Sequence, residues 1–172
     1  MRLLGFSFSK HATQGFSLIE LLICLALLGL LASWATPGLQ RLQQRVLVDA
    51  TRDQLMGDLQ LARIKALQQG QALQMSRLST CVWSKTSNTD WSCGWQLQTK
   101  TSSVILQTSP VQEPISVVFA KVDPLEINRR GDLGTVGERW VIKSLSANPV
   151  IAVTLCINSA SRLRWQSGES CS

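Results

Sequence analysis

Histidine is nearly missing from these 172 residues: the one copy, His11, stands close to the amino terminus. A mature form without that end has no imidazole to serve as base, proton shuttle or metal ligand, so serine-protease chemistry and histidine-held zinc both fall away. Charge is scarce too. Asp, Glu, Lys and Arg make up 16% of the chain, below the usual share, while hydrophobic residues reach 45%, which argues against disorder and directs attention to a lipid-facing segment. The five cysteines, Cys24, Cys81, Cys93, Cys156 and Cys171, include no C-x-x-C pair, so a thiolate metal site is not expected. Internal repeats, low-complexity tracts, a nucleophile with its base and a recognisable carboxylate pair are all missing, and neither an enzyme nor a cofactor is expected. The length suits one domain with an appended element. What charge there is leans positive, 17 Lys and Arg against 11 Asp and Glu, a balance that favours polyanions or anionic surfaces.

Residues 16–36, FSLIELLICLALLGLLASWAT, form the greasiest run and contain one ionisable group, Glu20. As a helix the run spans about 30 Å, enough to cross a bilayer. The preceding residues, 1–15, carry Arg2, Lys10 and His11 and are too polar to be the hydrophobic part of a leader. Ala32-Ser33-Trp34-Ala35 offers a cut site for an ordinary secretory signal. Against that reading, a carboxylate at the depth of Glu20 costs about 2.5–3.5 kcal/mol and demands a functional partner, naturally the positive amino terminus of a neighbouring chain. Gly15-Phe16-Ser17-Leu18-Ile19-Glu20-Leu21-Leu22 resembles the processing motif of type IV pilins and type II secretion pseudopilins. The resemblance implies cleavage after Gly15 by a prepilin peptidase, N-methylation of Phe16, and use of Glu20 to register one subunit against the next. Pro37, followed by Gly38, either kinks the helix at the membrane exit or ends it.

Residues 39–69 contain no proline and place Leu55, Leu59, Ala62 and Ala66 at helical steps on one face. An earlier stripe, Leu39, Leu42, Val46 and Ala50, joins it through a five-residue step, so the buried face is expected to rotate midway. Asp49, Arg52, Asp53, Asp58 and Arg63 read as solvated charges, and Gly70 as the stop. Beyond it come short β-prone runs: 72–78, 81–84, 94–99, 104–108, 115–119, 125–128, 140–143, 150–157 and 163–166, separated by Pro- and Gly-rich turns. An α+β architecture follows, with a long helix covering antiparallel sheet. Of the three pairings open to the four polar-region cysteines, nested local bridges, Cys81–Cys93 and Cys156–Cys171, are the most economical. Cys24 reads as an unpaired packing residue in the apolar run.

Leu55 to Ala66, Trp91-Ser92-Cys93-Gly94-Trp95 and Asn128-Arg129-Arg130-Gly131 together are similar to the helix and turn motifs of the GspH/FimT family of minor pilins and pseudopilins. Trp91 and Trp95 are nonetheless read as packing residues. The resemblance implies a pilin-like fold with a leader at 1–15, a membrane half of the helix at 16–38, an amphipathic half at 39–70 and a β-rich periplasmic domain at 71–172. It also implies partners: other pilins, the peptidase and the inner membrane before assembly into a pilus. Cys156-Ile157-Asn158-Ser159-Ala160-Ser161-Arg162-Leu163-Arg164-Trp165 resembles the Gly-Arg-x-Arg motif of DNA-binding FimT minor pilins, with Ser161 in place of the glycine. Strand alternation puts Arg162 and Arg164 on one side, where planar guanidinium groups suit adjacent phosphates of double-stranded DNA, with Leu163 inward and Trp165 either stacking on a base or covering a sheet edge. Arg129, Arg130 and Lys143 are candidates to extend the patch. The competing readings are a solvated arginine face and a GspH-type pseudopilin that contacts other pseudopilins and not DNA.

Overall fold

The computed structural model describes residues 17–79, 81–83, 87–121, 124–134 and 138–171, with 34–36 described by backbone alone. Gly15 and Phe16, the proposed processing site, lie outside the described residues. One helix, α1 (Leu18–Gln69), is followed by eight strands: β1 (Leu73–Arg77), β2 (Gly94–Thr99), β3 (Ile105–Pro110), β4 (Ile115–Phe119), β5 (Leu125–Ile127), β6 (Arg139–Ser144), β7 (Ala152–Ile157) and β8 (Leu163–Ser167). The chain divides after Leu39 into two compact units.

In the first unit the helix is apolar and exposed, with Glu20 in its first turn. Pro37 sits inside α1, so the helix does not end there. Among the described residues no single helix is long and apolar enough to cross a membrane, although Leu18–Ser33 and Pro37–Gln69 meet that requirement as a pair. Cys24 is free and exposed.

The second unit is built on the buried stripe of the helix. Leu55, Leu59, Ala62 and Ala66 are fully buried, and Val48 and Thr51 continue the stripe backwards at steps of three and four. The expected rotation through Leu39, Leu42, Val46 and Ala50 is not found: all four are exposed. The periodicity that matters runs through Val48 and passes Val46 by, because the sheets cover only one line of the helix. Gly70, at φ 62°, ends α1 in the left-handed conformation that glycine adopts without strain.

Two antiparallel four-stranded sheets complete the unit, ordered β3-β2-β1-β5 and β4-β6-β7-β8. The expected 81–84 strand is not found among its described residues: 81–83 form a turn, and Ser84 lies outside the described residues. Trp91 N–H donates to Val117 at 2.8 Å and Phe119 N–H to Thr89 at 2.9 Å, extending the β4 edge before the chain enters β2. Gly94 makes this possible. It has φ 109°, and a Cβ there would collide with the Ser109 carbonyl. Trp91, Phe119 and Trp140 form an aromatic cluster, with Trp91 edge-on to Phe119 (centroids 5.4 Å apart) and Phe119 stacked on Trp140 (4.0 Å). Asp58, read from sequence as solvated, is 8% exposed. It accepts from the Trp95 indole at 2.8 Å and from the Gln107 amide, tying α1 to β2 and β3. Arg52 does make the expected solvated pairs, with Asp49 (2.9 Å) and Asp53 (2.8 Å).

Candidate nucleic-acid interface

β7 and β8 are joined by a short turn at 158–162, and the turn chemistry is local. Asn158 Oδ1 accepts from the Ala160 and Arg162 N–H groups at 3.0 and 2.8 Å, a side-chain substitute for backbone pairing. Ser161 has φ 55°, the left-handed conformation that a glycine in its place would adopt freely and that costs a residue with a Cβ about 1–2 kcal/mol. Two contacts hold it there. The Arg63 guanidinium donates through Nη2 to the Ser161 carbonyl, and the Leu133 N–H donates to Ser161 Oγ at 3.3 Å. The serine therefore holds the left-handed backbone that a glycine would adopt freely.

Arg63 reaches this turn from the edge of the buried helix stripe. Gly131 packs against it, burial lowers its pKa from the ordinary guanidinium value, and the charge of Asp132 opposes that shift. Sequence reading treated Arg63 as solvated. Its neighbour Ala62 in the buried stripe was the available signal, since a residue flanking the stripe extends over the sheet.

Arg162 and Arg164 line one concavity of about 550 Å³ together with Cys156, Cys171 and Glu138. Both are exposed, and no carboxylate pairs with either among the described residues. The disulfides are Cys81–Cys93, with Cα atoms 5.5 Å apart, and Cys156–Cys171, at 5.9 Å. The second ties the carboxy-terminal segment across the outer face of β7, forming one wall of the concavity. Cross-strand register puts Arg139, Cys156 and Arg164 in a row on that face. Arg139 is thus a further cation on this face, across Cys156 from Arg164 and about 10 Å from it at the spacing of strands, not noticed in the sequence because its strand gave no sign of which strand lay next to it.

Other predicted cations are placed differently. Arg129 and Arg130 are exposed on the turn preceding Gly131, and this segment joins the 158–162 turn through Leu133 and Ser161. Lys143 is not in the concavity. It lies four residues along β6 from Arg139, about 13 Å at the rise of a strand, and its ammonium faces Glu169 at 3.5 Å. Trp165 points to the opposite face from Arg162 and Arg164, half-buried against the core with the Arg52 guanidinium 5.9 Å from its ring centre, so it covers the sheet and is not beside the arginines. Leu163 packs inward with it. Among the described residues no cluster of His, Cys, Asp or Glu could hold a metal ion.

A long amino-terminal helix whose later part covers paired antiparallel sheets defines the pilin-like α+β class. Residues 10–36 match the prokaryotic N-terminal methylation motif, and residues 51–164 match the family described as Type II transport protein GspH, so the chain belongs to that family. It is a minor pilin or pseudopilin. The fold is similar to that of the type IV minor pilin FimU of Pseudomonas aeruginosa, at 19% identity and a TM-score of 0.57, covering 72% of this chain and 99% of that one. It is also similar to the minor pseudopilin EpsH of the Vibrio cholerae type 2 secretion system, at 13% identity and a TM-score of 0.52, covering 71% and 98%. Among curated protein sequences none matches significantly.

Proposed function

We propose that the chain is a FimT/FimU-like minor pilin that contacts the phosphate backbone of double-stranded DNA through Arg162 and Arg164, as part of pilus-mediated DNA uptake. Before assembly it is held in the inner membrane by the apolar part of α1, with the globular unit in the periplasm, where an oxidising environment maintains its disulfides. A prepilin peptidase cuts after Gly15, Phe16 is methylated, and Glu20 meets the amino terminus of a neighbouring pilin in the fibre. The observation carrying the DNA reading is that two unpaired guanidinium groups share one concavity, one at the end of the turn that contains left-handed Ser161 and the other in β8 just beyond it. Arg139, Arg129 and Arg130 supply further positive charge near it. Lys143, occupied by Glu169, does not.

Binding through so few phosphates is weak, indifferent to sequence and sensitive to salt. The test is binding of a labelled duplex at low salt by the parent and by Arg162→Ala/Arg164→Ala. The account expects a large loss in the double variant, and equal binding would remove the DNA site. A second reading, a GspH-like pseudopilin, is favoured by Glu138 in the same concavity, since a carboxylate among cations suits a protein partner better than a polyanion. In that case the double variant would lose affinity for other minor pseudopilins while duplex binding by the parent would be negligible.

A further inference from the structure

Arg41 and Arg45 need an explanation that pilin assembly and DNA binding do not give. They follow directly on the apolar stretch of the helix, where a flank facing away from the cytoplasm is ordinarily poor in Lys and Arg. The second unit shows what surrounds them. Arg41 donates through Nε and Nη2 to the Asn148 carbonyl at 3.2 and 2.8 Å, fixing the β6–β7 loop against the helix, and the Ser144 hydroxyl donates to Gln44 beside it. Arg45 has no acceptor among the described residues. Both line a groove of about 590 Å³ whose other wall is the segment from Pro149 to Val153, the end of the β6–β7 loop and the start of β7. Asp49, also in the groove, is taken by Arg52 at 2.9 Å, and Arg52 itself is shared between Asp49 and Asp53. The charge left over is positive.

Around these cations the surface is apolar. Leu42, Val46, Leu145 and Val150 are 57% to 59% exposed, two on the helix and two on the loop that Arg41 secures. Leucine and valine at a loop tip beside unpaired arginine match a bilayer boundary, where side chains enter the acyl region while guanidinium groups hold phosphate. Chain continuity limits the choice of bilayer: Arg41 is two residues past Leu39, where the apolar unit ends.

We propose that the Arg41/Arg45 groove and the Leu145–Val150 loop form a docking surface for anionic phospholipid headgroups, seating the globular unit on the membrane before the subunit enters a fibre. This rests on the reading of the apolar helix as a membrane anchor. Arg45 and Arg41 hold the lipid phosphate, Leu42 and Val150 enter the boundary beside it, and the unit is held in a fixed orientation until neighbouring pilins replace the lipid.

The full chain is tested in nanodiscs of phosphatidylcholine with or without phosphatidylglycerol. Cys24 is changed to Ala, and an environment-sensitive fluorophore is placed on Val150→Cys or, as a control remote from the groove, on Val104→Cys. A blue shift at position 150 is expected only with phosphatidylglycerol, with none at position 104. Arg41→Gln/Arg45→Gln should reduce the docked fraction relative to undocked by roughly fivefold for each cation removed. A water-like signal at position 150 in both lipids overturns the proposal, as does an equal shift in both. A shift that appears only as chains per disc increase assigns the surface to a second copy and overturns it likewise. Failure of the chain to co-elute with discs at all removes the anchor reading itself, a result distinct from insertion without docking.

Discussion

Two loops of this protein are closed in the same way and used in opposite ways. Cys81–Cys93 and Cys156–Cys171 bridge residues 12 and 15 apart in sequence, and each loop contains tryptophan and polar residues. In the first, several of the described polar groups bond within the protein. Asp90 accepts from the Ser92 N–H at 3.0 Å, Trp83 donates to the Ser92 carbonyl at 3.3 Å, and Trp91 is completely buried between the sheets. In the second, Arg162 and Arg164 remain exposed and unpaired while Trp165 turns away to cover the sheet. The bridge restricts the chain in both cases, and among the described residues the difference lies in whether the tryptophan is buried between the sheets or turned aside from exposed, unpaired cations. A closed loop whose cations have no internal partner is available to an external anion.

The sharpest break between the loops should come from their tryptophans. Trp91→Ala removes the centre of an aromatic cluster and should lower stability by about 3–5 kcal/mol in a urea titration, whereas Trp165→Ala, half-buried, should cost clearly less. Equal losses would mean that the first loop is not the core element described. Opening the bridges sharpens the contrast. Cys81→Ser/Cys93→Ser and Cys156→Ser/Cys171→Ser should each cost about 3 kcal/mol, yet only the second should weaken duplex binding in a gel-shift assay. Smaller still is Ser161→Gly. Relief of a left-handed serine, about 1 kcal/mol, is offset by loss of the Leu133 contact of similar size, so the melting temperature should barely move and duplex binding should persist. Outside the comparison, Glu20→Gln should abolish incorporation into fibres while leaving the melting temperature of the globular unit unchanged.

Much of this was readable in the residues. Period-2 and helical patterns locate the helix stripe from Leu55 to Ala66 and nearly every strand, because those segments bury one face and leave a periodic trace. The pattern fails where burial is decided by a distant element. Leu42 and Val46 have the right spacing to face inward, but no sheet reaches them. Asp58 and Arg63 look like surface charges, yet Trp95 and Gln107 come from other strands to satisfy the first, and the 158–162 turn is supplied to the second. At the candidate site, Arg162 and Arg164 could be paired by alternation alone. Arg139 and the separation of Lys143 could not, since both depend on strand order. The conformation of Ser161 is not legible in the sequence for a similar reason: its left-handed backbone is held by Arg63 and Leu133, both remote in sequence.

The most direct test of the arginine pair is the slope of log K against log salt for duplex binding, measured side by side for the parent, Arg162→Ala/Arg164→Ala and Lys143→Ala. Loss of two phosphate contacts should flatten the double variant's slope by roughly 1.8, while the Lys143 variant should keep the parental slope. Three parallel lines would contradict the account.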